Sequence, residues 1–170
     1  MMPPTLTTDR LVLRPYERAD FDRYAAFFAS ERATLMGAPY TRDEAWTWFT
    51  NDIASWSLYG FGSLAITTRG RLAGFAGLIY PPHFPEPEIG WGLYDGFTGA
   101  GFATEAARAI LDHTFQTTTL TSVISFVDPA NGPSQRVAER LGAVRDSRVV
   151  SPSGPDNLVY RHSRATLRAA

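Results

Sequence analysis

Two rhythms of hydrophobic and polar positions alternate along the chain, one helical and one extended. Leu11-Val12-Leu13 ahead of Arg14-Pro15 predicts a short first strand. From Asp20 to Ser30, Phe21, Tyr24, Ala25, Phe27 and Phe28 recur at helical spacing. A second helix is expected from Asp43 to about Trp56, opened by Thr41 with Glu44 three residues later, the pattern of a capping box. Gly60 and Gly62 end that stretch, and Ser63–Thr68 and Leu72–Tyr80 read as strands paired about Arg69-Gly70-Arg71. A strand over Glu88–Tyr94 leads through a glycine-containing turn into a helix over Phe102–Phe115, whose apolar face is Ala103, Ala107, Ile110, Leu111 and Phe115. Thr121–Val127 is a β-rich run stopped by Asp128-Pro129. Asn131-Gly132-Pro133 opens a short helix carrying Val137, Ala138 and Leu141, with Gly142 where a left-handed terminal residue is expected. Val144–Val150 and Leu158–Ser163 complete the order β-α-α-β-β-β-α-β-α-β-β. Close hairpins imply antiparallel pairing, and the later strand-helix-strand units imply parallel pairing. The class is a mixed α/β sheet with helices on both faces.

Composition narrows what such a domain does. At 170 residues and 44% hydrophobic the chain suits one domain, residues 1–170, and not a disordered segment. Its prolines gather at Pro3-Pro4, Pro81–Pro87 and Pro152–Pro155, which are read as loops. The 16 basic residues are all Arg, and 17 acidic ones leave a formal charge of −1. That balance argues against a nucleic-acid partner, which needs a basic face. No segment has the length and apolarity of a membrane span, so no membrane partner is expected. Met1-Met2-Pro3-Pro4 lacks the basic start and apolar stretch of a secretory leader, and Cys is absent. A cytoplasmic location is the expectation, with no thiolate metal site, no disulfide and no cysteine nucleophile. His83, His113 and His162 are isolated and lack metal-ligand spacing, so no metal is expected.

The chemistry concentrates between Gly90 and Ala106, a strand, a glycine turn and a helix start. Gly99 and Gly101 allow positive φ and leave backbone N–H groups unobstructed. The first-turn N–H groups of a helix have no internal acceptors, and the helix dipole adds partial positive charge there. Such a turn accepts a phosphate or pyrophosphate. A dinucleotide fingerprint is only partly met. Thr104 stands where its third glycine belongs, and Asp128 lies well beyond the acidic position expected roughly 20 residues on. A turn whose glycines serve geometry alone is the remaining reading of these residues.

Four motifs in order carry a resemblance that spans nearly the whole chain: Thr8-Asp9-Arg10-Leu11-Val12-Leu13-Arg14; Glu88-Ile89-Gly90-Trp91; TGAGFATEA over Thr98–Ala106; and Asn131-Gly132-Pro133-Ser134 followed by Val137, Glu139, Leu141 and Gly142. Together they resemble the GNAT acyl-CoA-dependent N-acyltransferases, above all the branch of ribosomal-protein N-terminal alanine acetyltransferases. The resemblance implies a mostly antiparallel central sheet of six to seven strands, splayed between the strands at 88–94 and 121–127. It also implies acetyl-CoA as acyl donor and a primary amine as acceptor. Thr98, Gly99, Ala100, Gly101, Phe102, Ala103 and Thr104 would hold the pyrophosphate, and Asn131 would orient the pantetheine amides. Gly90, Trp91 and Gly92 would offer backbone N–H groups to the thioester oxygen. Thr98 and Ala100 stand where this family often has Arg, Lys or Gln, which leaves the holding to backbone N–H groups and the helix dipole. Ala138 stands where many relatives carry a tyrosine acid.

Acyl transfer to an amine needs a neutral amine, a stabilised oxyanion and a proton for the departing thiolate. Under the resemblance Glu88 is the candidate base, acting through a water; its other reading is a solvated edge carboxylate. Glu86, between two prolines, and Asp156, on the late loop, are further carboxylates. Ser134 is the second candidate catalytic residue, as acid or, by preference, as contact to the sulfur; its other reading is a first-turn capping residue, and Asn131 is otherwise a turn residue. Glu105 reads as a structural first-turn acid. Trp46, Trp48, Trp56, Tyr59 and Phe61 flank the expected acceptor groove, most of them read as core, and the loops at 57–62 and 81–87 frame its entry, where His83 is a loop-surface residue or a candidate acceptor contact. A non-catalytic acyl-CoA-binding domain of the same fold is the alternative, and a nicotinamide-linked enzyme a third. The acceptor stays open among a protein N-terminus, an amino acid, a polyamine and an aminoglycoside, as does the choice between monomer and homodimer.

Overall fold

The computed structural model describes residues 2–152 and 154–169. In chain order the elements are β1 (Leu6–Thr7), β2 (Val12–Arg14), α1 (Phe21–Phe28), α2 (Arg42–Tyr59), β3 (Ser63–Thr68), β4 (Arg71–Ile79), β5 (Glu88–Leu93), α3 (Phe102–Thr117), β6 (Ser122–Val127), α4 (Gly132–Arg140), β7 (Val144–Arg145), β8 (Leu158–Ser163) and α5 (Arg164–Ala169). Short 3-10 turns at Arg18–Asp20 and Glu31–Met36 flank α1. The strands form one eight-stranded sheet in the order β1-β2-β3-β4-β5-β6-β8-β7. Among these neighbours only β5 and β6 run parallel.

Local chemistry sets most boundaries. Thr41 and Glu44 cap α2 reciprocally, each accepting from the other's backbone N–H, and left-handed Gly60 ends the helix. The β3–β4 turn has positive φ at both Arg69 and Gly70, the twist a tight hairpin requires. Asn131 caps α4 by accepting from Ser134 N–H, with Pro133 in the first turn.

The sheet is covered on both faces. Cross-strand partners share a face, so Phe75, Gly77 and Ile79 on β4 stand with Gly92, Gly90 and Glu88 on β5. Phe75 meets Tyr24, Phe27 and Phe28 of α1, which places α1 over this face. The alternate positions Leu64, Ile66, Leu78, Ile89 and Val123 are buried on the opposite side. There α4 docks through the Tyr160 hydroxyl, 3.4 Å from a Glu139 oxygen, and α3 packs beside it.

Three features depart from the sequence expectation. Leu6–Thr7 adds a strand by pairing with Val12–Leu13, bringing the sheet to eight. The strand expected over Val144–Val150 stops at Arg145. Asp146 accepts from the backbone and side chain of Arg148, and this local turn curls the chain off the ladder. The last helix, α5, follows β8 without a break where no helix was expected.

Candidate active site

The site is built where β5 and β6 part. They share one bridge, Glu88 with Ile124, in which Ile124 N–H donates to Pro87 C=O. The next rung would join Phe126 N–H to Ile89 C=O. Side chains take both halves instead. Phe126 N–H donates to Glu88 Oε1 at 3.1 Å, and Ser125 Oγ donates to Ile89 C=O at 2.9 Å. Ser125 is held in turn by buried His162, whose Nε2 lies 3.0 Å from its Oγ and whose ring packs edge-on to Trp91. Burial lowers the His162 pKa to about 4, so the ring is neutral.

Backbone parity then decides which donors face the gap. Pro87 and Ile89 carbonyls point toward β6, so odd positions of β5 face the gap and even ones face β4. Past the fork, Trp91 N–H is the next donor that this parity directs into the gap. Gly90 and Gly92 turn their N–H groups to β4, unlike the three consecutive donors the sequence suggested. Each glycine serves a different end. A Cβ at Gly92 would come 2.4 Å from Phe75 Cζ, whereas one at Gly90 would meet nothing within 4 Å. The space over Gly90 is open floor.

That floor belongs to a cleft of about 400 Å³, the size of a small-ligand site. Its lining brings together Glu88, Gly90, Trp91, Ser125, Asn131 and Ser134 with residues of α1 and α2. Glu88 is half-buried there, and burial pushes its carboxyl up to about 7 against the opposing Phe126 hydrogen bond. Asp52 on α2 is a second carboxylate of the cleft, reached at 3.5 Å by the Tyr24 hydroxyl. Burial raises it to about 7 as well, with hydrogen bonds from the Ser63 and Tyr24 hydroxyls pulling the other way. The sequence reading missed Asp52, yet it stands in the stripe Ala45, Phe49, Asp52, Trp56 that α2 buries. A carboxylate in an apolar stripe was the available signal.

These raised values have a stability consequence. Both carboxyls titrate higher in the fold than their ordinary values of 4.5 and 3.8, so the fold favours their protonated forms. That contribution is whole below about pH 4 and lost as pH rises through about 7. Asp52→Asn removes one such group while keeping an acceptor for Tyr24. Between pH 5 and 8 the variant is expected to lose much less stability than the parent, a difference on the order of 2–4 kcal/mol. Thermal unfolding across that range checks it, and equal slopes for the two proteins would contradict it.

The glycine loop lies outside this cleft, exposed at the start of α3. Gly99 and Gly101 have φ of 82° and 81°, and Gly101 is the N-cap residue with no side-chain cap. Among the described residues, Gly99, Gly101, Phe102, Ala103 and Thr104 find no acceptor for their backbone N–H groups. Thr104 Oγ1 is buried without a hydrogen-bond partner. A cation reaches the loop from elsewhere in the chain. Arg10 donates to Ala100 C=O at 2.8 Å, stacks over the Phe102 ring and pairs with Glu105. Glu105 also accepts from Thr8 Oγ1 and Arg10 N–H, so it ties the β1–β2 turn to α3, the structural part expected of it.

Residues 10–144 match the model of the acetyltransferase (GNAT) domain, covering the loop, the fork and α4 together. The chain belongs to the GNAT family. A crystal structure of an acetyltransferase from Agrobacterium tumefaciens str. C58 superposes with a TM-score of 0.92 at 43% identity, covering 96% of each chain. An uncharacterized N-acetyltransferase of Bacillus subtilis, YnaD, is 27% identical over 146 residues, 83% of each protein. Mycobacterium smegmatis RimJ in complex with a CoA disulfide is similar in fold, with a TM-score of 0.76 at 20% identity over 98% of this chain and 92% of that one.

As a GNAT enzyme the chain is an acetyl-CoA-dependent acyltransferase, and its residues fit that donor. The unsatisfied N–H groups of Gly99–Thr104 and the orphaned Thr104 hydroxyl suit a pyrophosphate, and the free edge of β5 suits an extended amide chain. Ser134 lines the cleft, and its hydroxyl makes no hydrogen bond among the described residues. Asn131 spends its Oδ1 on capping Ser134 N–H, and Ala138 is fully buried. Glu86 is engaged by Arg161 at 2.6 and 2.7 Å, which holds its carboxyl below the usual range. Asp156 is exposed and outside the lining, where its neighbour Asn157 stands instead. Of the aromatic residues expected to flank the groove, Trp48 lines it, Trp56 is core and Tyr59 stacks on Phe61. Of the two framing loops, the one at 81–87 contributes His83 and Phe84, and the one at 57–62 contributes nothing to the lining. His113 packs beside Trp56, away from the cleft.

Proposed function

We propose that this enzyme transfers an acetyl group from acetyl-CoA to a primary amine by direct attack with both substrates bound. The observation that carries the reading is the fork. Around it, lining one cleft, stand a carboxyl raised to about 7, Trp91, whose backbone N–H the parity directs into the gap, and the Ser134 hydroxyl of α4.

Bound acetyl-CoA supplies an acetyl group already activated as a thioester. The protein's own residues supply the rest. Glu88 accepts Phe126 N–H through Oε1, which fixes the carboxylate and leaves its other oxygen for a proton from the amine, directly or through one water. Trp91 N–H points into the gap, where it donates to the carbonyl oxygen that gains charge as the amine adds. Ser134 Oγ, which lines the same cleft, would hydrogen-bond the sulfur; a serine hydroxyl is too weak an acid to titrate near neutrality, so it would solvate the departing thiolate without protonating it. The loop at Thr98–Thr104 grips the pyrophosphate through N–H groups, Thr104 Oγ1 and the α3 dipole.

Thiol release measured against a panel of primary amines tests the whole reading. Turnover is expected with at least one amine, and initial-rate lines varying both substrates should intersect. Parallel lines would replace direct attack with an acyl-enzyme, and tight acetyl-CoA binding with no turnover on any amine would leave only a binding domain.

A further inference from the structure

Acidic side chains dominate the ionisable lining of the cleft. Asp52, Glu88 and Asp128 line it, and among the described residues no arginine does, although the chain carries 16 and has no lysine. Among the described residues, His83, on the loop at 81–87, is the only lining side chain of a basic type. Around the carboxylates stand Tyr24, Phe28, Tyr40, Trp48, Phe75 and Phe84, a wall of rings. The rings are fixed by one another: Phe28 stacks on Tyr40, Tyr40 on Trp48, and Phe75 contacts Phe28 and Tyr24.

Each part has a chemical consequence. A buried carboxylate in an aromatic enclosure attracts an ammonium, and ring faces add cation–π attraction. A ligand carboxylate beside that ammonium would be desolvated among three acids with no arginine to pair it, and above neutral pH, where Glu88 and Asp52 are ionised, like charges there repel strongly. The rings reward an apolar body in the remaining volume.

We infer that the acceptor is a primary amine on an apolar or aromatic body with no carboxylate next to the amine. Free α-amino acids are thereby disfavoured. Arylalkylamines and the N-terminus of a peptide that begins with a bulky apolar residue share the required chemistry. This inference rests on the acyl-transfer reading for its site and goes beyond it in naming the acceptor class.

The test compares phenylalanine, phenylalanine amide, 2-phenylethylamine and a pentapeptide amide beginning with phenylalanine. Phenylalanine and its amide share the side chain and differ in the carboxylate and in the basicity of the amine beside it, so their rates are compared per neutral amine over a pH series. The amide is expected to show kcat/KM at least about a hundredfold above the free acid. The phenylethylamine and peptide arms tell a small amine from a chain terminus. Asp52→Asn should raise KM for the favoured amine about tenfold while kcat changes much less, which a merely structural role for Asp52 would not produce. Free phenylalanine used as well as its amide would overturn the inference and leave acyl transfer standing. If no amine is turned over, quenching of tryptophan fluorescence by the amide but not by the free acid still supports it and sinks the acyl-transfer reading. Binding of neither compound overturns it.

Discussion

Gly101→Val weakens CoA binding by at least about tenfold and leaves the sheet folded. Gly101 sits at φ 81°, a conformation that costs an ordinary L-residue roughly 1–2 kcal/mol and a β-branched one more. Space is not the main obstacle, since the nearest atom to an added Cβ, Arg10 Nη2, lies at 3.5 Å, an ordinary contact. Relieving the strain instead rotates the peptide units on either side of Gly101, and those units carry the N–H groups that face outward from α3. A pyrophosphate held by several such donors loses them together. Calorimetry with CoA gives the constant. Gly70→Val serves as the control, because Gly70 has φ 72° in the β3–β4 turn and an added Cβ there meets nothing within 4 Å. It should cost comparable stability and leave CoA affinity intact. Equal affinities for the parent and Gly101→Val would remove this loop from donor binding.

Glu88→Gln lowers kcat about a hundredfold or more, within the range general bases contribute, with CoA affinity nearly unchanged. Glutamine keeps an oxygen to accept Phe126 N–H, so the fork survives while the base is lost. The pH profile separates this from a packing defect. A base whose carboxyl is raised to about 7 is protonated and idle below that pH, so the parent's kcat should rise through neutrality. The residual rate of the variant should lack that limb, rising only as the amine itself loses its proton. A variant that retains the limb would move the base elsewhere. Asp52 is then the next carboxyl to test, since it is also raised to about 7 and lines the same cleft.

The amino-acid sequence by itself determined whatever depends on neighbours a few residues apart. The Thr41–Glu44 cap, the stop at Gly60, positive φ at Gly101 and Gly142, the start of α4 at Asn131-Gly132-Pro133 and the strand-turn-helix from Glu88 are all local, and all stand where the sequence places them, although Asn131 and not Ser134 is the capping side chain. Motif order extended that reach to the family, the acyl donor and the splay. Tertiary structure decided what depends on two distant segments meeting. Parity between β4, β5 and β6 leaves Trp91, and neither Gly90 nor Gly92, to point an N–H into the gap. Residues 88 and 126 meet only because β6 returns parallel after α3, and that contact makes Glu88 both the clasp of the fork and a carboxyl near neutrality. Folding also brings Arg10 to a loop whose own positions at 98–101 carry no basic side chain, and Asp52 to a cleft on the far side of α2's capping motif. Local backbone preferences act within a turn or two of chain. Charge, burial and donor direction act through space, and only the packed sheet sets those distances.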